Sequence, residues 1–321
     1  MDEIKHLISK ELHDFENKFA DSVKSHVPLL DRIMHYIVKR KGKQIRPMFV
    51  LLSARLFGPE IQESTYRAAA LVELLHTATL VHDDVVDDAN ERRGFFSINA
   101  LWKNKIAVLV GDYLLSKGLL LSLNNHDYRT LQILTEAVKE MSEGELLQME
   151  KTRKLNIRED VYFEIIRRKT ASLLAAACAA GAWSTTGLDD ATEKMRLFGE
   201  KVGVAFQIKD DLFDYGADKI GKPTGIDIRE KKLTLPLIYT LQHADPETRR
   251  RIIYIVKNHN TDKEKVAEVI NLVKSSGGID YTRDKMFQYR DEALEVLNSF
   301  PENDIRNGLE RLVRFTTDRT F

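Results

Sequence analysis

Two aspartate clusters of identical spacing carry the clearest chemistry in this sequence. Each has the form Asp-Asp-x-x-Asp. The clusters are Asp83, Asp84 and Asp87, and Asp210, Asp211 and Asp214. Residues four positions apart share a face of an α-helix, so the outer two carboxylates of each cluster point the same way. The same period places His76 near the first cluster and Gln207 beside the second.

Both clusters come at the C-terminal end of an apolar helical segment, where carboxylates are unfavourable. That end of a helix carries partial negative charge, which disfavours each carboxylate by a few tenths to about 1 kcal/mol. Bound cations would offset this cost, and a donor set of oxygens without cysteine favours magnesium over zinc. A solvated acidic surface would explain one cluster, but two copies on apolar helices argue against it. Neither cluster has the spacing of a calcium-binding loop.

Basic residues near the clusters could bind an anionic substrate. Arginine binds phosphate in a bidentate manner, and lysine acts as a point charge. The candidates are Lys43, Arg46, Arg92, Arg93, Lys169 (followed by Thr170), Lys222, Lys231 and Lys232. Some of them come shortly after each aspartate cluster, as a diphosphate site requires. A P-loop is excluded because its Gly-x-x-x-x-Gly-Lys-Ser/Thr pattern is absent.

The composition indicates a helical globular protein. The 321 residues include only 16 Gly and 7 Pro, too few for the turns of a barrel or sandwich. Lys plus Arg total 49, as do Asp plus Glu, which argues against a general nucleic-acid or anionic-membrane binder. The start lacks a signal-peptide pattern, and we expect no apolar run to approach the ~18 residues of a membrane span. We therefore expect a cytoplasmic protein without a transmembrane segment.

Helical periodicity runs through most of the chain, and no Ser/Gly/Pro-rich linker divides it. The predicted helices are 1–40 (broken near Pro28), 48–57, 66–81, 105–123, 128–149, 158–183, 191–215 and most of the chain after 232. Residues 218–232 are a predicted glycine- and lysine-rich loop. We therefore predict one helical domain that spans residues 1–321.

In their order along the chain, these motifs resemble those of the trans-isoprenyl diphosphate synthases. The resemblance covers residues 30–240 and, more loosely, the rest. The matching pieces are 42–47, 75–76, 83–87, 92–94, 169–170, 206–214, 221–227 and 232–236. One such motif is weak evidence, but the ordered set is specific. It implies an all-α, single-domain orthogonal helical bundle of the isoprenoid synthase type with a central active-site cavity, and a homodimer.

The resemblance implies that isopentenyl diphosphate lengthens an allylic diphosphate such as farnesyl or geranylgeranyl diphosphate. Pyrophosphate leaves the allylic carbon while metals and cationic side chains stabilise the developing charge. The isopentenyl double bond attacks, and a proton is then lost to the bound pyrophosphate. Three Mg²⁺ ions would be held by the six aspartates and the allylic diphosphate.

Individual roles carry over by position. Contacts to the allylic diphosphate would come from Arg92, Lys169, Gln207, Lys222 and Lys232, with Thr170 near the departing pyrophosphate. The isopentenyl diphosphate site would consist of Lys43, Arg46, His76 and Arg93. The residues expected to act in catalysis are Asp83, Asp84, Asp87, Lys169, Thr170, Asp210 and Lys222. Lys231 stands where long-chain members often have glycine.

Product length would depend on the residues just before the first cluster. Ala78 and Thr79 are small where short-chain members tend to carry an aromatic residue, which predicts an open tunnel. Leu134 or Val138 would form its floor. The product would be roughly C30 to C45, for a quinone side chain. The competing explanation is that small residues merely permit close helix packing.

Four other functions share part of this pattern. A short-chain (C15–C20) synthase would have the same motifs. A non-catalytic subunit of a heteromeric synthase usually lacks one or both aspartate motifs. A metal phosphohydrolase of the His-Asp type would leave the second cluster unexplained. A class I terpene cyclase typically has a different second motif.

Overall fold

The computed structural model describes residues 1–39, 42–92, 95–155, 158–216 and 224–318, without the side chains of Arg92, Arg153 and Lys154. Nearly all of this is α-helix, which confirms the all-α prediction. The helices are α1 (Asp2–Leu7), α2 (Ser9–Ser22), α3 (Pro28–Lys39), α4 (Ile45–Arg55), α5 (Glu63–Val86), α6 (Ile98–Trp102), α7 (Asn104–Leu123), α8 (Tyr128–Lys154), α9 (Glu159–Ile166), α10 (Ser172–Thr186), α11 (Asp189–Asp214), α12 (Ile226–Arg229), α13 (Leu235–His243), α14 (Pro246–Asn258), α15 (Lys263–Ser275), α16 (Gly278–Asn298) and α17 (Asp304–Thr317).

Two features depart from the predicted helices. Strands β1 (Glu91–Arg92) and β2 (Phe95–Phe96) form a short antiparallel hairpin. A π-helical turn, Arg167–Ala171, interrupts the segment predicted as one helix and separates α9 from α10. Such turns are rare in proteins, and those that occur often lie at functional sites. This one carries Lys169 and Thr170. The predicted break near Pro28 is confirmed, since α3 begins at that proline.

The chain forms two compact units. Unit 1 comprises Met1–Val138, Ala176–Arg196 and Glu302–Leu309, and unit 2 comprises Lys139–Ala175, Leu197–Pro301 and Glu310–Phe321. The assignment of 1–321 to a single domain stays a prediction.

In unit 1, α5 packs against α4 and α7. Its sequence is apolar nearly all round, and buried residues accordingly occur on most of its faces. Two glycines of α7 permit the close approach. A Cβ at Gly111 would meet the His82 ring, and a Cβ at Gly118 would lie 2.7 Å from Leu71 Cδ1. This packing fixes the helix that ends in the first aspartate cluster.

In unit 2, side chains of α9, α11 and α13 to α16 form one apolar core. Gly203 of α11 lies against the π-helical turn, where an added Cβ would be 2.5 Å from Ala171 Cα. The starts of α14 and α15 are capped by Asp245 and Asp262, whose side chains accept backbone N–H bonds. This core positions α11, which ends in the second aspartate cluster.

Among the described residues, α7 is the one helix that is long and apolar enough to cross a membrane by length and composition. The sequence pattern did not predict it as a possible span, because Asp112 and Lys117 interrupt its apolar residues. It packs along α5 as a core helix of unit 1. One such helix is weak evidence for a membrane span.

Candidate active site

The first aspartate cluster lies at the end of α5. Asp87 is the C-cap residue and is exposed, and Asp83 one turn earlier is half-buried. Asp84 is only 4% exposed, and its backbone carbonyl accepts a bond from the Asn99 side chain at 3.2 Å. Two of the three carboxylates thus reach solvent at a helix end whose dipole disfavours them.

The second cluster ends α11 and is more deeply embedded. Asp210 is exposed, whereas Asp211 and Asp214 are buried. Oδ1 of Asp214 accepts the Ile226 N–H at 2.7 Å, and Oδ2 accepts the Asp227 N–H at 3.1 Å. These N–H groups belong to the first turn of α12, which has no partners for them within the helix. The Asp214 carboxylate therefore anchors α12 to the end of α11.

The backbone near α12 requires glycine at one position. Gly225 donates its N–H to the Asp214 carbonyl at 2.8 Å and has φ 78°. An added Cβ there would also collide with Val266. The left-handed conformation and the lack of space both exclude larger residues. Gly225 belongs to the motif 221–227 that carried the family resemblance.

A chain of hydrogen bonds connects the second cluster to the π-helical turn. Tyr162 Oη donates to Asp211 Oδ2 at 2.6 Å, and Gln207 Nε2 donates to Asp211 Oδ1 at 2.9 Å. Thr170 Oγ1 donates to Gln207 Oε1 at 2.8 Å. The structure thus brings the predicted residues Thr170 and Gln207 together. Tyr162, one of 10 tyrosines, was not predicted, because nothing in its local pattern distinguishes it from a core residue.

Burial and mutual repulsion perturb the acids of this region. Burial, with the charges of neighbouring aspartates, raises the pKa of Asp211 to about 7 and that of Asp227 to about 8. Burial also raises the pKa of Asp214, and this effect is larger than the lowering by the backbone N–H bonds that its carboxylate accepts. The sequence analysis gave Asp227 no role. A cation bound nearby would favour the charged forms and reverse these shifts.

The donors fit magnesium held jointly with a substrate. Across the described parts of the chain, no three Asp, Glu, His or Cys side chains converge into a ready-made metal site. Magnesium usually takes one or two carboxylates and completes its shell with water and substrate phosphates. The exposed or half-buried carboxylates of Asp83, Asp87 and Asp210 offer oxygen ligands of that kind.

Two lysines predicted to bind diphosphate already contact glutamates. Lys169 Nζ forms an ion pair with Glu145 of α8 and lies 3.4 Å from Gln148 Oε1. Gly144 permits this contact, since a Cβ there would be 2.8 Å from the Lys169 backbone nitrogen. Lys232 forms an ion pair with Glu230. A diphosphate would have to compete with both glutamates.

The predicted isopentenyl diphosphate residues are partly brought together in unit 1. Arg46 Nη1 lies 3.0 Å from His76 Nε2, which accepts this bond when neutral. Lys43 is exposed in the loop before α4. Beside them is an open cavity of about 230 Å³, lined by side chains that include Phe15, Phe96 and His76. Its largely apolar wall could take a short hydrocarbon group.

Some predicted residues are not described structurally. Arg93 and Lys222 lie outside the described residues, and so does the side chain of Arg92. The tunnel candidates all belong to unit 1. Ala78 and Leu134 are fully buried, Thr79 and Val138 are half-buried, and Thr79 donates to the His76 carbonyl at 2.9 Å. The roles of all predicted site residues stay predictions.

The polyprenyl synthetase family model matches residues 27–273. The chain is 36% identical over 301 residues to an all-trans-nonaprenyl-diphosphate synthase (geranyl-diphosphate specific) of Rhodobacter capsulatus, covering 93% of this chain and 92% of that one. It is 32% identical over 321 residues to the octaprenyl diphosphate synthase of Escherichia coli, covering 99% of each. A short chain isoprenyl diphosphate synthase of Methanothermobacter thermautotrophicus is also 32% identical, over 326 residues and 99% of each chain.

Solved structures match the whole fold. A decaprenyl diphosphate synthase from Rhodobacter capsulatus superposes with a TM-score of 0.94 at 33% identity, covering 100% of this chain and 99% of that one. A polyprenyl synthase from Caulobacter crescentus, complexed with calcium and isoprenyl diphosphate, has a TM-score of 0.91 at 35% identity and covers 100% and 98%. Relatives with long and short products are thus similarly distant in sequence.

Proposed function

Because this chain belongs to the polyprenyl synthetase family, and is thus a prenyltransferase, we propose that it extends an allylic diphosphate with isopentenyl diphosphate into a long all-trans polyprenyl diphosphate. The observation that carries this proposal is the pair of aspartate clusters, each at the C-terminal end of a packed helix and each with at least one carboxylate that reaches solvent. A helix end of that polarity disfavours carboxylates unless cations bind there.

We propose Mg²⁺ as the metal, three ions in all, with ligands from the six clustered aspartates. The Caulobacter crescentus relative bound calcium and isoprenyl diphosphate, which supports a divalent cation together with a diphosphate. When bound, the ions would neutralise the charge that develops on the leaving pyrophosphate. Asp211 and Asp214 also have structural duties, since each accepts two hydrogen bonds through its carboxylate.

The side chains of this protein would bind and orient the two diphosphates. Lys169 and Lys232 exchange their glutamate partners for the allylic diphosphate, with Gln207 and Thr170 beside it. Arg46, His76 and Lys43 bind isopentenyl diphosphate. Arg92, Arg93 and Lys222 complete these sites. Cationic donors fixed before the reaction stabilise the leaving group without reorganisation. The proton lost in the last step passes to pyrophosphate, so the proposal assigns no protein base.

A long product is supported by the small side chains of Ala78 and Thr79. Thr79 is half-buried one helical turn before Asp83. Ala78 is fully buried and shares a helical face with His82 and Leu71, both of which contact α7. Close packing against α7 is therefore an additional reason for alanine at 78. Thr79 is the better test of an open tunnel, because enlarging it disturbs that packing least.

The test is to incubate the protein with farnesyl diphosphate, labelled isopentenyl diphosphate and Mg²⁺, with an EDTA control, and to size the products. Metal-dependent products beyond C25 support the proposal. Thr79→Phe should shorten them, and Thr79→Val, which keeps the volume, should not. Products of C15 or C20 from the unmodified protein favour the short-chain alternative. The absence of incorporation, where a known synthase works, would indicate a non-catalytic subunit.

We also propose a cytoplasmic homodimer whose product serves as a quinone side chain. Exposed apolar side chains along α7 support the dimer. They are Val108, Leu109, Leu119, Leu120 and Leu123. An apolar stripe of this kind is typical of a surface covered by a partner. Leu109→Asp should yield monomers by light scattering. Leu188→Asp is the matched control, since Leu188 is 62% exposed and Leu109 66%.

A further inference from the structure

The hydrogen-bond chain from Tyr162 to Thr170 has a defined direction. The amide nitrogen of Gln207 can only donate, so Asp211 Oδ1 accepts from it, and the Tyr162 hydroxyl donates to Asp211 Oδ2. The amide oxygen of Gln207 must then face Thr170, whose hydroxyl donates to it. The hydroxyl of Thr170 is left with lone pairs for any further contact.

We propose that Tyr162 is a positioning residue for the prenyl transfer, which holds Asp211 and through it fixes the Gln207 amide and the Thr170 hydroxyl. This inference rests on the proposed function, which places Gln207 and Thr170 beside the allylic diphosphate. Tyr162 itself is 4% exposed within the core of unit 2, so it acts through Asp211.

The physical reason is that a glutamine amide can turn over. Its oxygen and nitrogen ends differ little in shape, so hydrogen-bond partners decide the orientation. Without the Tyr162 hydroxyl, Asp211 loses one of two donors and gains freedom to rotate. The Gln207 amide is then no longer held with its oxygen toward Thr170. A flipped amide would make Thr170 an acceptor and direct its hydrogen elsewhere.

A structural role alone would have a different signature, and the chain offers a matched control. Tyr281 Oη donates to Glu159 Oε1 at 2.7 Å, so it is also a tyrosine bonded to a carboxylate. Glu159 begins α9, the helix that carries Tyr162. Tyr281→Phe therefore removes a similar bond to the same helix without touching the chain that leads to Thr170.

The experiment compares Tyr162→Phe and Tyr281→Phe in the elongation assay, at a temperature where circular dichroism shows each variant folded. We expect Tyr162→Phe to lower kcat by about tenfold or more with little change in KM, because a misplaced reacting-site group can cost up to about a hundredfold. Tyr281→Phe should keep the kcat of the unmodified protein. Equal kcat values for the two variants would overturn the proposal.

A double-mutant cycle tests whether Tyr162 acts through Thr170. In a Thr170→Val background, Tyr162→Phe should change kcat less than about twofold, since residues in one network are not additive. A full additional loss in that background would overturn the proposal. If Tyr162→Phe does not fold, Tyr162→His provides the second variant, because an imidazole N–H can still donate to Asp211. Any kcat loss that it shows should likewise disappear in the Thr170→Val background. An unmodified protein without elongation activity would refute the proposed function instead.

Discussion

The two aspartate clusters have the same spacing and both end a long helix, yet the protein surrounds them differently. At the end of α5, Asp83 and Asp87 reach solvent. At the end of α11, only Asp210 is exposed, while Asp211 and Asp214 are buried and accept hydrogen bonds from Tyr162, Gln207 and the start of α12. One sequence pattern thus supports two kinds of site.

The difference shows that a carboxylate in a metal-binding motif can have a structural duty as well. In the first cluster, two of the three carboxylates reach solvent, where they can bind ligands. The second uses two of its three carboxylates to hold its own surroundings. Substitutions in the two clusters should therefore divide between activity and stability.

The largest effect is expected from Asp83→Asn in the first cluster. Loss of a metal ligand should lower kcat/KM by about a thousandfold, as removal of electrostatic stabilisation often does. The free energy of unfolding should stay within about 0.5 kcal/mol or rise, because a charge is removed from an unfavourable helix end. The assay of labelled isopentenyl diphosphate incorporation and urea unfolding measure the two quantities. A variant that keeps most of its activity would contradict the metal assignment.

Asp214→Ala should instead destabilise the protein. Two backbone N–H groups at the start of α12 lose their acceptor, at a cost of about 1–3 kcal/mol each if they stay buried. Asp87→Ala is the matched control from the first cluster and should change stability by less than about 0.5 kcal/mol. Urea unfolding without metal tests the pair, and equal stabilities of the two variants would contradict the comparison.

The surroundings of the two clusters should also differ in their response to pH, because the buried Asp227 lies near the second cluster. The pKa of Asp227 is raised by burial from 3.8 to about 8, so the folded protein keeps a proton that the unfolded chain loses. Its contribution to stability is therefore present at low pH and is lost as pH rises through that interval. In EDTA, the thermal midpoint should fall between about pH 5 and about pH 8. Asp227→Asn should reduce this fall, whereas Asp87→Asn should not. A midpoint that rises over the same range would be inconsistent with the raised pKa.

The smallest effect concerns the segment between the second cluster and α13. Lys231 has φ 58°, a left-handed conformation that is unfavourable for residues other than glycine. Lys231→Gly should raise the free energy of unfolding by up to about 1 kcal/mol, because the backbone strain is relieved. The gain is reduced by loss of the exposed hydrogen bond from Lys231 to the Lys257 carbonyl. Lys231→Ala loses the same bond but keeps the Cβ, so it should bring no gain. A more stable alanine variant would show that strain is not the cause.

Helical periodicity and the aspartate spacing were sufficient to predict the all-α class and the helices that carry both clusters. They could not reveal that Asp214 holds α12 or that Tyr162 reaches Asp211, because these contacts join residues far apart in sequence or depend on a turn. The π-helical turn at Lys169 was missed for a similar reason. It depends on packing against Gly144 and Gly203, which local patterns do not show. Lys231 was the exception, since the family resemblance implied glycine at that position.

The most direct test of the division between the clusters is the Mg²⁺ concentration that gives half the maximal elongation rate. It should be compared between Asp87→Asn and Asp214→Asn, each at a temperature where the variant is folded. We predict at least about a tenfold rise for Asp87→Asn, corresponding to a lost ligand interaction of about 1.4 kcal/mol or more, and a smaller rise for Asp214→Asn, whose carboxylate is buried and already accepts two backbone N–H bonds. Equal rises in both variants would contradict the account, because they would show that Asp214 binds metal as directly as Asp87 does.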